Sequence, residues 1–157
     1  MKHIIIVGLL LITLCGCTDT KEQTQFEDEI FSKFIVINEQ SRLAEEKAIN
    51  FQVNNISCEN IVEATTQMVF MYAYEKTGIE YYNQNKYYFD KYCHTVDQCG
   101  RLVTNVEVWK NNQRHYADKK DGFQKLLNAC NISIQMNHIY DETYSQIVEA
   151  NNKFIKE

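Results

Sequence analysis

The chain has 157 residues and a net charge of −5, with 45% hydrophobic residues, enough for one modest domain with a real core. Its acidic balance excludes the clustered Lys and Arg that nucleic acids demand, and it argues against purely electrostatic membrane binding. Proline is absent and only five glycines occur, which excludes a many-turned β-domain and points to an all-α fold.

Lys2 and His3 form a short positive n-region ahead of an apolar run from Ile4 to Leu14, broken only by Thr13 and the small Gly8. The run has the length of a signal-peptide h-region and falls short of the ~20 residues that span a bilayer. It ends in Leu14-Cys15-Gly16-Cys17, followed at once by the polar stretch TDTKEQTQ.

Leu14-Cys15-Gly16-Cys17 resembles the lipobox of bacterial lipoproteins: an aliphatic residue, two small ones, then the cysteine that is modified. The resemblance covers only the signal. It implies cleavage after Gly16 and acylation of Cys17, with two or three chains holding the protein to a membrane. Cys15 lacks a small residue immediately before it and fits the modified position less well. Thr18 rather than Asp after the lipidated cysteine implies, by the same resemblance, the outer membrane facing the periplasm. The expected organisation is a signal over residues 1–16, a lipidated tether over 17–25 and a single helical domain over 26–157. Losing Lys2 with the signal takes the net charge from −5 to about −6.

With Cys15 and Cys17 assigned, Cys58, Cys93, Cys99 and Cys130 remain, and an even set in an exported domain reads as two disulfides. The five residues between Cys93 and Cys99 do not match the two-to-four spacing of zinc knuckles.

Beyond the tether, a first helix is expected from Phe26 to Val53. Ile30, Phe34, Ile37, Ser41, Ala44, Ala48 and Phe51 recur at spacings of three and four, one packed stripe with small residues that admit a close neighbour. Self-association would use the same stripe. Ser57 is the expected N-cap of a second helix whose inner face is Cys58, Ile61, Thr65, Met68 and Tyr72, widened by Val62 and Val69. Lys76 and Gly78 are expected to close it. A third helix should run from Ile79 to His94, and a fourth segment from Asp97 or Gln98 carries Leu102, Val103, Val106 and Trp109. Its TNVEVW stretch is β-branched enough for a strand. The polar residues from Asn111 to Asp121 read as a loop. The last helix starts near Asp121, includes Phe123, Leu127, Cys130, Tyr140, Tyr144 and Ile147, and breaks near Asn137.

The expected fold is therefore a disulfide-braced bundle of four or five helices. Two pairings fit: Cys93–Cys99 with Cys58–Cys130, or Cys58–Cys93 with Cys99–Cys130. The low closure cost of a five-residue loop favours the first.

IEYYNQNKYYFDKYC, from Ile79 to Cys93, is the most unusual mature segment. Tyr81, Tyr88 and Tyr92 share one helical face, Tyr82, Phe89 and Cys93 the next, and Tyr87 points elsewhere. So wide an aromatic arc suits either a helix packed between neighbours or a protein-recognition surface, with Tyr81, Tyr88 and Tyr92 as the partner-binding candidates. His94, His115 and His138 are each followed three residues later by Asp97, Asp118 and Asp141. A carboxylate so placed can orient an imidazole for metal or general-base chemistry, although surface pairs give the same pattern. Phosphate loops, nucleophile elbows and HExxH are absent. The expected function is a non-catalytic, cofactor-free lipoprotein binding a protein partner, in the manner of an immunity, inhibitor or exclusion factor. The alternatives are a metal-binding or hydrolytic lipoprotein using the His–Asp pairs, and a structural protein that oligomerises.

Overall fold

Residues 20–53 and 56–153 are described by a computed structural model, and all regular structure among them is helical. The signal, the lipobox and Cys17 lie outside these residues. The first described residue, Thr20, is already helical, so residues 20–25, expected as tether, belong to the first helix. A π-helical turn, Phe26–Phe31, follows, and α1 (Ser32–Val53) completes the rod. Hydrogen bonds from i to i+5 align residues five apart. Phe26 and Phe31 thereby come to one face, their rings 5.8 Å apart, and both are buried. A regular helical period leaves Phe31 off the stripe. The Ser32 hydroxyl donates to the Glu27 carbonyl at 2.9 Å, satisfying an acceptor at this turn.

A tight turn over residues 57–60, in which Ser57 N–H donates to Asn60 Oδ1 (2.7 Å), leads into α2 (Ile61–Gln84). Ser57 therefore opens a turn, and Asn60 occupies the N-cap position. Gly78 does not end α2. The helix runs through it because the Trp109 indole lies directly on its backbone: a Cβ at Gly78 would collide with Cζ3 and stand 2.9 Å from Cε3 and Cη2. The break comes at Asn85, whose side-chain amide donates to the Tyr81 carbonyl (2.9 Å), and the short α3 (Lys86–Tyr92) continues beyond it. A 3-10 turn, Cys93–Thr95, reverses the chain.

The fourth segment is one unbroken helix, α4 (Cys99–Ala129), which includes the β-branched stretch expected as strand-like and the polar stretch expected as loop. Its inner polar residues have partners across the bundle, so polarity there marks a hydrogen-bonded interior rather than a break. After residues 130–135, α5 (Met136–Lys153) completes the bundle. Consecutive long helices run antiparallel, and α2 is the central member, touching α1, α4 and α5.

The disulfides are Cys93–Cys99 and Cys58–Cys130, with Cα atoms 5.4 and 5.3 Å apart. Because α2 passes through Gly78, Cys58 and Cys93 lie at opposite ends of the bundle, not at one end as a separate third helix would place them. Each disulfide closes its own end. Two apolar cores follow the same division. Phe26, Phe31, Phe34, Phe89, Tyr92, Val106 and Trp109 fill the Cys93–Cys99 half. Ile61, Met68, Val69, Tyr72, Leu127 and Met136 fill the Cys58–Cys130 half.

Candidate functional site

Between the two cores lies a polar waist. Asn38 on α1 is buried, donates to the Phe34 carbonyl (2.9 Å) and accepts from Asn105 Nδ2 on α4 (2.8 Å). Glu75, at the middle of α2, is only 2% exposed. Its carboxylate accepts from Asn112 Nδ2 (2.6 Å) and Gln113 Nε2 (3.3 Å), and the Gln113 amide also donates to the Tyr72 carbonyl (2.9 Å). Burial pushes the Glu75 carboxyl up to about 7, against the two amide donors, with Glu45 adding repulsion. Glu75 therefore changes charge near neutral pH inside the bundle.

Beside the waist, four tyrosines form a column from α2 across α4 to α5. Tyr72 and Tyr116 have centroids 4.7 Å apart, Tyr116 and Tyr140 are 4.8 Å apart, and Tyr140 stacks on Tyr144 at 6.3 Å. Lys76 Nζ sits 4.0 Å above the Tyr144 ring, a cation–π contact that covers the column, and the Tyr144 hydroxyl donates to Glu80. Desolvation raises all four phenols, with Tyr140 reaching about 12, so they are neutral donors at any physiological pH. Among the described residues the Tyr116 hydroxyl is buried without a hydrogen-bond partner. Sequence reasoning missed Glu75. The signal was present, since extending the Met68–Tyr72 stripe by three residues places a carboxylate at an inward position.

The residues singled out from the sequence are dispersed or committed to the fold. Tyr92 is buried against Phe26 and its hydroxyl donates to Glu22 Oε2 (2.9 Å). The Tyr81 hydroxyl donates to the Ile30 carbonyl (3.2 Å), and burial pushes it up to about 12. Tyr88 packs half-buried against the same core. Tyr87 is the outward-facing member, because the kink at Asn85 turns Phe89 and Tyr92 inward together. Of the three partner-binding candidates, Tyr81 and Tyr92 thus spend their hydroxyls on contacts within the domain, and Tyr88 is half-buried. His94, His115 and His138 are exposed on three different elements, and His138 Nε2 lies 3.1 Å from Glu142, not beside Asp141. Among the described residues no three His, Cys, Asp or Glu side chains converge as a metal site, and all four cysteines are oxidised. The stripe of Ile30, Phe34, Ile37, Ser41, Ala44 and Ala48 is spent inside the domain.

The outward face of α1 is different. Ile35, Val36, Leu43 and Ile49 are exposed along it, and Arg42, paired with Glu39 and Glu46, lies on the same side. No described helix is long and apolar enough to cross a membrane. Comparison with protein families, with curated proteins and with solved structures returned no match.

Proposed function

We propose that this chain is a lipid-anchored lipoprotein of the bacterial cell envelope, held by acyl chains on Cys17, whose helical domain binds a protein partner without catalysing a reaction. One observation carries the reading: Cys58, Cys93, Cys99 and Cys130 pair completely, so that Cys17 alone is left over in the mature sequence. Paired cysteines are the habit of an oxidising compartment, and a leftover cysteine at a lipobox is the acceptor for lipid. The anchoring membrane is the outer one by the residue after Cys17, and the domain faces the periplasm. Protein binding is assigned to the outward face of α1, where Ile35, Val36, Leu43 and Ile49 stay exposed while Phe89 and Tyr92 of the tyrosine-rich segment pack inside. An immunity, inhibitor or exclusion factor fits that description.

Two measurements test it. Mass analysis of the mature N-terminal peptide should find an acylated Cys17, and Cys17→Ser should release the protein from membranes. Cross-linking in intact envelopes should return one protein, and Val36→Lys with Leu43→Lys should abolish that product without changing the melting temperature. An unmodified N-terminus removes the anchor, and an unchanged cross-link in the double variant removes the α1 surface.

A further inference from the structure

We infer that the Cys93–Cys99 end of the bundle, with α3 at its edge, is a seat for the phospholipid headgroups of the membrane that carries the anchor. The inference rests on acylation of Cys17. The first described helical residue is Thr20. Three peptide steps from Cys17 reach at most about 10 Å, whereas α4, with 31 residues, is about 46 Å long. A domain of that length on so short a lead cannot present either end to the bilayer equally.

The first turn is also fastened down. Glu22 accepts from Lys91 Nζ (2.9 Å) and from the Tyr92 hydroxyl (2.9 Å), and one turn later Phe26 is buried between Phe89 and Tyr92. The chain therefore enters the domain already docked on α3, at the end that leads into the turn Cys93–Thr95. Tyr87, on α3, is at 60% the most exposed of the large hydrophobic side chains among the described residues. Lys91 Nζ lies 5.7 Å above its ring, on the same side as the entering chain. A tyrosine with an apolar ring and a polar tip, flanked by lysines, is suited to the headgroup layer. Lys91 pairs with Glu22 and Lys86 with Asp90, so the seat is nearly neutral, and zwitterionic lipid is the matching surface. The opposite end, with Cys58–Cys130 and Leu126, then points away from the bilayer, and the exposed face of α1 stands along its flank.

Tryptophan quenching tests the orientation on the full, lipidated chain reconstituted in phosphatidylcholine vesicles containing a nitroxide-headgroup lipid. Wild-type emission, from the buried Trp109, is the reference. Tyr87→Trp should lose more than half of its added emission. Leu126→Trp, about 40 Å along α4 from Cys99, should lose almost none. Both positions are exposed, so neither replacement burdens the core. Acylated protein with Tyr87→Trp unquenched, or with Leu126→Trp quenched as strongly, overturns the seat and leaves the anchor standing. A mature N-terminus without acyl mass overturns both.

Discussion

The two ends of this bundle are built from the same helices and closed by one disulfide each, yet they solve the problem differently. The Cys93–Cys99 half is aromatic. Phe34, for example, meets Phe89 at 4.8 Å and Trp109 at 6.2 Å in edge-on contacts, and the disulfide there closes a separation of six residues. The Cys58–Cys130 half relies on aliphatic, methionine and tyrosine packing, and its disulfide spans 72 residues. Ring contacts add to area burial in both halves, through Phe34, Phe89 and Trp109 in the first and Tyr72, Tyr116 and Tyr140 in the second, but the disulfide of the second closes by far the longer loop. The second depends more on its covalent tie. That asymmetry suits a domain whose aromatic end also receives the entering chain.

The largest test of the contrast removes the long disulfide. A 72-residue separation restrains the unfolded chain by about 4 kcal/mol in the loop-entropy account. Cys58→Ala with Cys130→Ala should lower stability by that order, read as a shift of the denaturant midpoint at constant slope. Amide exchange should accelerate first around Leu127 and Met136 and last around Phe34. Equal acceleration in both halves would mean that the bundle unfolds as one unit and that the division into two cores has no energetic content.

The second test is in the waist. An ordinary glutamate titrates near 4.5, and Glu75 is pushed up to about 7, so the folded protein holds a proton that the unfolded chain has released. Its contribution is present below about pH 4.5 and is lost as pH rises through about 7, a fall of roughly 3 kcal/mol. Glu75→Gln should flatten this part of the stability-against-pH curve, gaining on the wild type at pH 8 relative to pH 5. A variant whose curve stays parallel to the wild type would show that another group carries the dependence.

How far these features were legible from the sequence differs by element. The stripe from Ile30 to Ala48 predicted α1, because an amphipathic helix writes its packing face into its own spacing. The favoured cysteine pairing also holds. The errors share one cause. Gly78 signals a helix end in isolation, but the Trp109 ring requires a residue without a side chain there, and Trp109 is far away in sequence. Asn112 and Gln113 look like loop residues until Glu75 is known to face them. Tyr92 reads equally as packing or as surface until Phe26, at the head of a π-turn that no 3.6-residue period anticipates, is known to lie against it. Local spacing shows which face packs, and it is silent on polar or glycine positions whose partners lie on another helix.

A smaller effect is expected from the short disulfide. Six residues of separation correspond to about 2 kcal/mol, so Cys93→Ala with Cys99→Ala should cost about half of what the long disulfide costs. Thermal melts of the two double variants side by side read the ratio directly. If the short pair proves the more costly, the aromatic core is not self-sufficient, and the turn Cys93–Thr95 holds α3 and α4 together.

The smallest test separates packing tyrosines from the outward one. Tyr81→Phe removes a hydroxyl that donates to the Ile30 carbonyl beside the π-turn and should cost about 1 kcal/mol. Tyr87→Ser, on the exposed side of α3, should stay within about 0.5 kcal/mol of the wild type. Their membrane behaviour should be the reverse. Acylated Tyr81→Phe keeps the orientation of the wild type in vesicles, whereas acylated Tyr87→Ser exposes α3 and the following turn to protease added from the aqueous side. A tyrosine that is indifferent for folding and needed for seating is what a headgroup contact requires. If Tyr87→Ser destabilises the free domain as much as Tyr81→Phe does, its ring belongs to the aromatic core, and the contrast between an inward and an outward tyrosine on this helix is lost.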